Sequence, residues 1–272
     1  MEGLDNMKNE LPSSDGVLIP GRRGKLFAHY YLPGGEYPKP VVIVCHGIPG
    51  NERLFDFSIF FRENGFCTLN FHYSGSWGSD GDYSVSHCFE DTASVVEYAV
   101  RNENGWFDVN NIFVVGHSLG GLMASYAISS LDAVRGGAIL APFNARLEAE
   151  SVVQGENDSF LCELFSDENG DKWLKDFSRK VFVDDMIACP EKFDLKSYAE
   201  GLSEKPVFIA TCNMDSVCPK EDHGLALAEE IQKFDGAGVL KYMEYDTDHT
   251  FNMLRSEVKK DICDFLTGNV VK

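Results

Sequence analysis

Ile112-Phe113-Val114-Val115-Gly116-His117-Ser118-Leu119-Gly120-Gly121 reads as a buried strand, a very tight turn and the start of a helix that continues through Leu122-Met123-Ala124. The turn matches Gly-x-Ser-x-Gly, the pattern of a nucleophile elbow. Nucleophilic chemistry needs a serine oxygen held proud of a sheet, within reach of a base. Only a sharp, strained turn does this, and Gly116 and Gly120 lack the Cβ atoms that would clash there. With 25 glycines in the chain the bare pattern is weak. The four apolar residues before it and the small-residue helix after it give it weight. The competing reading is a glycine-rich strand-to-helix turn that merely packs.

Outward from the elbow, strands and helices alternate. Val41 to Cys45, Phe66 to Phe71, Gly136 to Pro142, Pro206 to Thr211 and Val239 to Tyr245 read as strands. The run Val41-Val42-Ile43-Val44-Cys45 is continuously apolar, as for a strand covered on both faces. Helical patterns fall at Phe55 to Asn64, Glu90 to Arg101, Asp222 to Phe234 and Asn252 to Leu266. Val17 to Pro20 and Lys25 to Leu32 read as two further strands forming an antiparallel edge. The alternation predicts an α/β protein with a mostly parallel central sheet and helices on both faces. Residues 145–204 break this rhythm with charges, aromatics and short helical patterns, such as Asp171 to Val181. The expected division is a core of residues 1–144 and 205–272 with an inserted cap over 145–204. Phe160, Leu161, Leu164, Phe165, Trp173, Leu174, Phe177, Phe182 and Met186 are the residues that could form a cap core or face a pocket.

Composition narrows the function classes. The 272 residues are 44% hydrophobic, enough for a sizeable core. A formal net charge of −19 repels nucleic acid and anionic membrane surfaces, so neither is expected as a partner. The acidic N-terminus is not read as a signal peptide, and no apolar run is long enough to cross a bilayer. Eight scattered cysteines form no Cys-x-x-Cys, which suits a reduced, cytoplasmic protein. No His/Cys cluster has metal-ligand spacing, and nothing in the pattern calls for a metal or cofactor. The oligomeric state is left open.

In a parallel α/β sheet, ligands bind at the carboxyl ends of the strands, so the loops there carry the chemistry. His46-Gly47-Ile48-Pro49-Gly50 follows the strand ending at Cys45. A tetrahedral oxyanion needs two backbone N–H groups aimed at one point, each worth about 3–4 kcal/mol of barrier stabilisation. Leu119, first in the elbow helix, and Ile48 are the candidates, and Gly47 lets the loop approach the nucleophile. His46 reads as a structural hydrogen-bonding residue. Asp215 lies directly after the strand ending near Thr211, and His249 follows the strand ending at Tyr245. A carboxylate at Asp215 could fix the His249 tautomer and stabilise its charged form. Asp246 and Asp248 are rivals to Asp215, but their place beside His249 in sequence makes the geometry awkward. His29, His72, His87, His117 and His223 have weaker claims; His72 could line the pocket, and His117 fills the free position inside the elbow.

Taken together, His46-Gly47-Ile48-Pro49-Gly50, Gly116-His117-Ser118-Leu119-Gly120-Gly121, Asp215 and His249, in that order, resemble the α/β-hydrolases over almost the whole chain. Within that superfamily the chain is similar to the serine-aminopeptidase-like esterases, including cinnamoyl (feruloyl) esterases and monoacylglycerol-lipase relatives. The loop Tyr73-Ser74-Gly75-Ser76-Trp77-Gly78-Ser79-Asp80-Gly81 is similar to their Gly-x-Ser-x-Gly loop, with Tyr73 and Trp77 where smaller or basic residues are common. The resemblance implies the α/β-hydrolase fold and a cap inserted after the strand that follows the elbow helix. It also implies a Ser-His-Asp triad of Ser118, His249 and Asp215 cleaving small esters with apolar or aromatic acyl groups. The same triad serves amide and thioester hydrolases, where Glu148, Glu150, Asp184 and Asp185 could receive a free amine. A ligand-binding member of the fold without catalysis is the remaining alternative.

Overall fold

The computed structural model describes residues 11–154 and 173–271. Its strands are β1 (Ser13–Gly21), β2 (Gly24–Leu32), β3 (Lys39–Cys45), β4 (Cys67–Phe71), β5 (Phe107–His117), β6 (Val134–Leu140), β7 (Val207–Cys212) and β8 (Leu240–Tyr245). They form one sheet in the order β1-β2-β4-β3-β5-β6-β7-β8. The pairs β1/β2 and β2/β4 are antiparallel, and every other pair is parallel. The helices are α1 (Phe55–Glu63), α2 (Val85–Arg101), α3 (Leu119–Ser130), α4 (Ala145–Gln154), α5 (Arg179–Ala188), α6 (Pro190–Phe193), α7 (Ala199–Ser203), α8 (Gly224–Ile231) and α9 (Arg255–Gly268).

The continuous apolar runs follow from burial on both faces. Val41 and Ile43 of β3 face one core cluster, and Val42 and Val44 face the other. Ile112 and Val114 of β5 divide from Phe113 and Val115 in the same way. Each such side chain removed from water contributes about 1.5–3 kcal/mol. Helices α2, α3 and α8 cover the first face through Val95, Leu122, Ala127 and Leu227. Helices α1 and α9 cover the second through Phe57, Phe61, Val258 and Ile262. Charge also ties these last two together: Arg255 Nε donates to Asp56 at 3.1 Å and Lys259 Nζ to the same carboxylate at 3.0 Å.

Two helical expectations shift. The apolar spacing from Glu90 misses the first turn of α2, which begins at Val85. There the Ser84 hydroxyl accepts the His87 N–H at 3.1 Å and so caps the helix. The pattern over Asp171 to Val181 is not one helix in its described part. Leu174 bridges Ser76, and Lys175 N–H donates to Gly75 O at 2.8 Å. The helix starts only after Ser178, whose hydroxyl accepts from Val181 N–H at 3.2 Å. Within 145–204 the described elements are α4 to α7 and a 3₁₀ turn at Leu195–Tyr198. Leu174, Phe177, Phe182, Met186 and Phe193 are buried in the cluster that also holds α2 and α3. Phe160, Leu161, Leu164 and Phe165 lie outside the described residues. No helix among the described residues is long and apolar enough to cross a membrane.

Candidate active site

The elbow is built by two backbone contacts that exclude any side chain. A Cβ on Gly116 would lie 1.8 Å from Gly120 O, and one on Gly120 would lie 2.0 Å from Cys45 O. This closeness of β5, α3 and the end of β3 forces Ser118 to φ 57°, ψ −121°, outside the regions favoured by L-residues. The strain is held by its neighbours. Ser118 N–H donates to Leu140 O at 3.0 Å, and Ser118 O accepts from Gly121 N–H at 2.8 Å and Phe143 N–H at 3.0 Å. Ala141 and Phe251, in the loops after β6 and β8, also have positive φ. Non-glycine strain of this kind gathers where a site is over-determined by its surroundings.

Asp215 and His249 converge because β7 and β8 are parallel neighbours, in register from Val207 opposite Leu240 to Cys212 opposite Tyr245. His249 Nδ1–H donates to Asp215 Oδ2 at 2.7 Å. Asp215 Oδ1 accepts the N–H groups of Val217 at 2.9 Å and Cys218 at 2.8 Å. The carboxylate is thus fully engaged and its side chain is 1% exposed. With the proton on Nδ1, the Nε2 lone pair of His249 is available as a base. The rivals are spent elsewhere: Asp246 accepts from Asn213, and Asp248 from the backbone and side chain of Asn252.

Ser118 and His249 open into one cavity of about 160 Å³, with Gly47, Ile48, Val217 and Thr250 in its wall. The Cys218 thiol is a neighbour of Ser118. Burial, then the charge of Asp215, raises that thiol well above its ordinary pKa, so it stays protonated. Catalytic contacts commonly tighten only with substrate bound.

The loop after β3 reaches Ser118 as its glycine requires. A Cβ on Gly47 would meet Ser118 Cβ at 3.0 Å. Ile48 N–H is next along the loop. Leu119 N–H opens α3, where a first-turn amide has no intrahelical acceptor and sits at the positive end of the helix dipole. His46 braces the loop: its Nδ1–H donates to Gly47 O at 2.7 Å, and its own carbonyl accepts from Tyr73 Oη at 3.2 Å. Burial lowers the His46 pKa to about 4, so it is neutral near pH 7.

The other histidines are dispersed. His72 is buried against Phe27 and His46 and does not line the cavity, contrary to the sequence-based expectation; burial pushes its pKa down to about 2. His223 Nδ1 accepts the Asn144 N–H at 2.9 Å. His87 bonds the Asp82 carbonyl at 3.0 Å. The acidic residues considered for amine recognition are also occupied: Glu150 pairs with Arg146, Asp184 with Lys180, and Asp185 accepts the Ser86 N–H. Glu148 does not line the cavity. Sequence reading missed Val217 and Thr250 in the cavity wall and Cys218 beside Asp215. Their adjacency to Asp215 and His249 was the available signal.

A sequence model of the alpha/beta hydrolase family matches residues 42–256. A relative from Escherichia coli, an uncharacterized 31.7 kDa protein in the traX-finO intergenic region, is 36% identical, with 74% of this chain and 81% of that protein covered. Two solved structures share the architecture. The Pyrococcus furiosus esterase Pf2001 superposes with a TM-score of 0.71 at 18% identity, over 94% of this chain and 91% of that one. Est1E from Butyrivibrio proteoclasticus, with ferulic acid bound, superposes with a TM-score of 0.72 at 22% identity, over 94% and 100%.

Proposed function

The chain belongs to the alpha/beta hydrolase family, and from that premise we propose that it is a serine carboxylesterase acting on small esters with apolar or aromatic acyl groups. The observation that carries the reading is the row of groups at one cavity. Asp215 is hydrogen-bonded to His249 at 2.7 Å, and His249 shares that cavity with Ser118 at the strained elbow. The ferulic acid held by Est1E supports a planar aromatic acyl group as one candidate.

In this mechanism Ser118 Oγ bonds to the ester carbonyl carbon while His249 Nε2 takes its proton. The negative charge moves to the carbonyl oxygen, which the amides of Ile48 and Leu119 receive. Asp215 holds the imidazolium, its own charge steadied by two backbone N–H groups. The tetrahedral intermediate collapses, the C–O bond to the alcohol breaks, and His249 returns the proton to that oxygen. Water repeats the sequence on the acyl-serine and restores the hydroxyl. The described cysteines are all free, which supports a reduced, cytoplasmic setting.

The test is turnover of p-nitrophenyl butyrate by wild type and Ser118→Ala. The expected loss in kcat is at least about a thousandfold, and equal rates overturn the assignment. A panel of matched p-nitroanilides and thioesters sets the reaction class. Faster cleavage of either than of the ester replaces the esterase reading with an amidase or thioesterase one.

A further inference from the structure

We propose that His117 is a positioning residue for the base, fixing where the His249 imidazole sits by holding the main-chain carbonyl of His249 itself. The inference rests on the triad reading above and concerns a residue that borders the same cavity but takes no proton in that mechanism.

His117 is the last residue of β5 and immediately precedes Ser118. Its Nε2–H donates to His249 O at 2.8 Å, across 132 residues of chain. The two rings lie 4.7 Å apart at 47°, and Phe251 closes on His117 at 6.2 Å. The rest of the loop after β8 is tied to other elements. Thr247 O accepts from Met214 N–H at 3.1 Å, and Thr250 O accepts from Arg255 Nη1 at 2.9 Å. Among the described residues, the bond from His117 is the hydrogen bond that ties His249 to the strand leading into Ser118. Ser118 and His249 are thereby referenced to the same rigid element, the end of β5.

Packing alone does not explain a histidine here. With the proton on Nε2, Nδ1 is a bare acceptor, and it is buried without a hydrogen-bond partner among the described residues. Such an orphan costs about 1–3 kcal/mol, which phenylalanine would avoid in a site 3% exposed. The donor on Nε2 is what the position retains. The ring also stays uncharged when His249 is protonated. Burial first, then the neighbouring His249, lowers its pKa to about 3; Asp215 and Arg255 are the other charged groups that act on it. His117 therefore adds no positive charge beside the imidazolium. His249 itself faces Asp215, His117 and, farther off, His223.

Displacing a catalytic group by about 1 Å can cost on the order of a hundredfold in rate. The experiment compares wild type, His117→Phe, which fills the site without a donor, and His117→Gln, whose amide reaches the Nε2 position. Readouts are kcat and KM on p-nitrophenyl butyrate, the acid limb of the kcat/KM pH profile, the rate of Ser118 labelling by a fluorophosphonate, and thermal unfolding. We expect His117→Phe to lose about 10- to 100-fold in kcat and in labelling rate, with KM within about twofold and the acid limb displaced. His117→Gln should recover most of the loss. If His117→Phe does not fold, His117→Asn, too short to reach the carbonyl, takes its place against His117→Gln with the same expected order. One labelling rate across all folded proteins, or a loss that tracks only the unfolding temperature, overturns the positioning role and leaves the triad standing. Failure of the wild type to label at Ser118 overturns both.

Discussion

Substituting Gly47 by alanine tests how closely the loop after β3 approaches the reacting centre. Gly47 is not in the left-handed region, so alanine adds no backbone strain there. Its Cβ would meet Ser118 Cβ at 3.0 Å, His117 O at 3.3 Å and Ser118 Oγ at 3.5 Å. Carbon atoms pack best at about 3.5–4.0 Å, so the loop or Ser118 must yield by roughly half an ångström. Ile48 N–H, the next donor along, moves with it. A whole oxyanion donor is worth about 2.7–4 kcal/mol, and partial misalignment should forfeit about 1–2 kcal/mol, or roughly 5- to 30-fold in kcat. Overpacking at this edge should cost only about 1 kcal/mol of stability, a fall of about 2–4 °C in Tm. The assay is steady-state p-nitrophenyl ester turnover beside a thermal melt, with Gly120→Ala as the reference for collapse. A Cβ at Gly120 would stand 2.0 Å from a backbone oxygen, so that variant should not fold. Wild-type kcat in Gly47→Ala would show that this loop does not serve the oxyanion. Unfolding as complete as that of Gly120→Ala would show that the contact with Ser118 is structural.

Two further expectations follow from the site and its surroundings. In Asp215→Asn, the amide oxygen would keep the N–H groups of Val217 and Cys218, leaving the amide NH₂ toward His249 Nδ1. The imidazole would then be driven to the wrong tautomer, and kcat should fall by about 10⁴ with little change in Tm; a loss under tenfold contradicts the role given to Asp215. The second concerns acid stability. His46, His72, His117 and His223 have pKa values lowered chiefly by burial, to about 4, 2, 3 and 4. The unfolded chain binds protons at these positions below its ordinary value of about 6.5, while the folded chain does not. Stability is therefore unaffected above that pH and falls as pH drops toward 4, by up to about 1.4 kcal/mol per unit for each histidine. Denaturant unfolding at pH 7, 6 and 5 measures this, and a flat profile would contradict neutral burial of the four rings.

What could be read from the chain alone was whatever short-range sterics and burial dictate. The run before Gly116 had to be a strand covered on both faces, because no polar residue interrupts it. The elbow had to be tight, because only glycines flank the serine at the two positions where backbones meet. Carboxyl-end loops had to carry Asp215 and His249, because parallel strands place those loops on one rim. Ser84 and Ser178 escaped notice because a cap acts through one hydrogen bond and leaves no periodic trace. Tertiary structure alone decided which distant groups touch. The order β2-β4-β3-β5 is not contained in any local pattern. The bond between Asp215 and His249 and the bond from His117 to the His249 carbonyl exist only because separate strands were brought side by side. Local sequence can specify a strained turn; which carbonyl fills the space beside it depends on how the whole sheet is assembled.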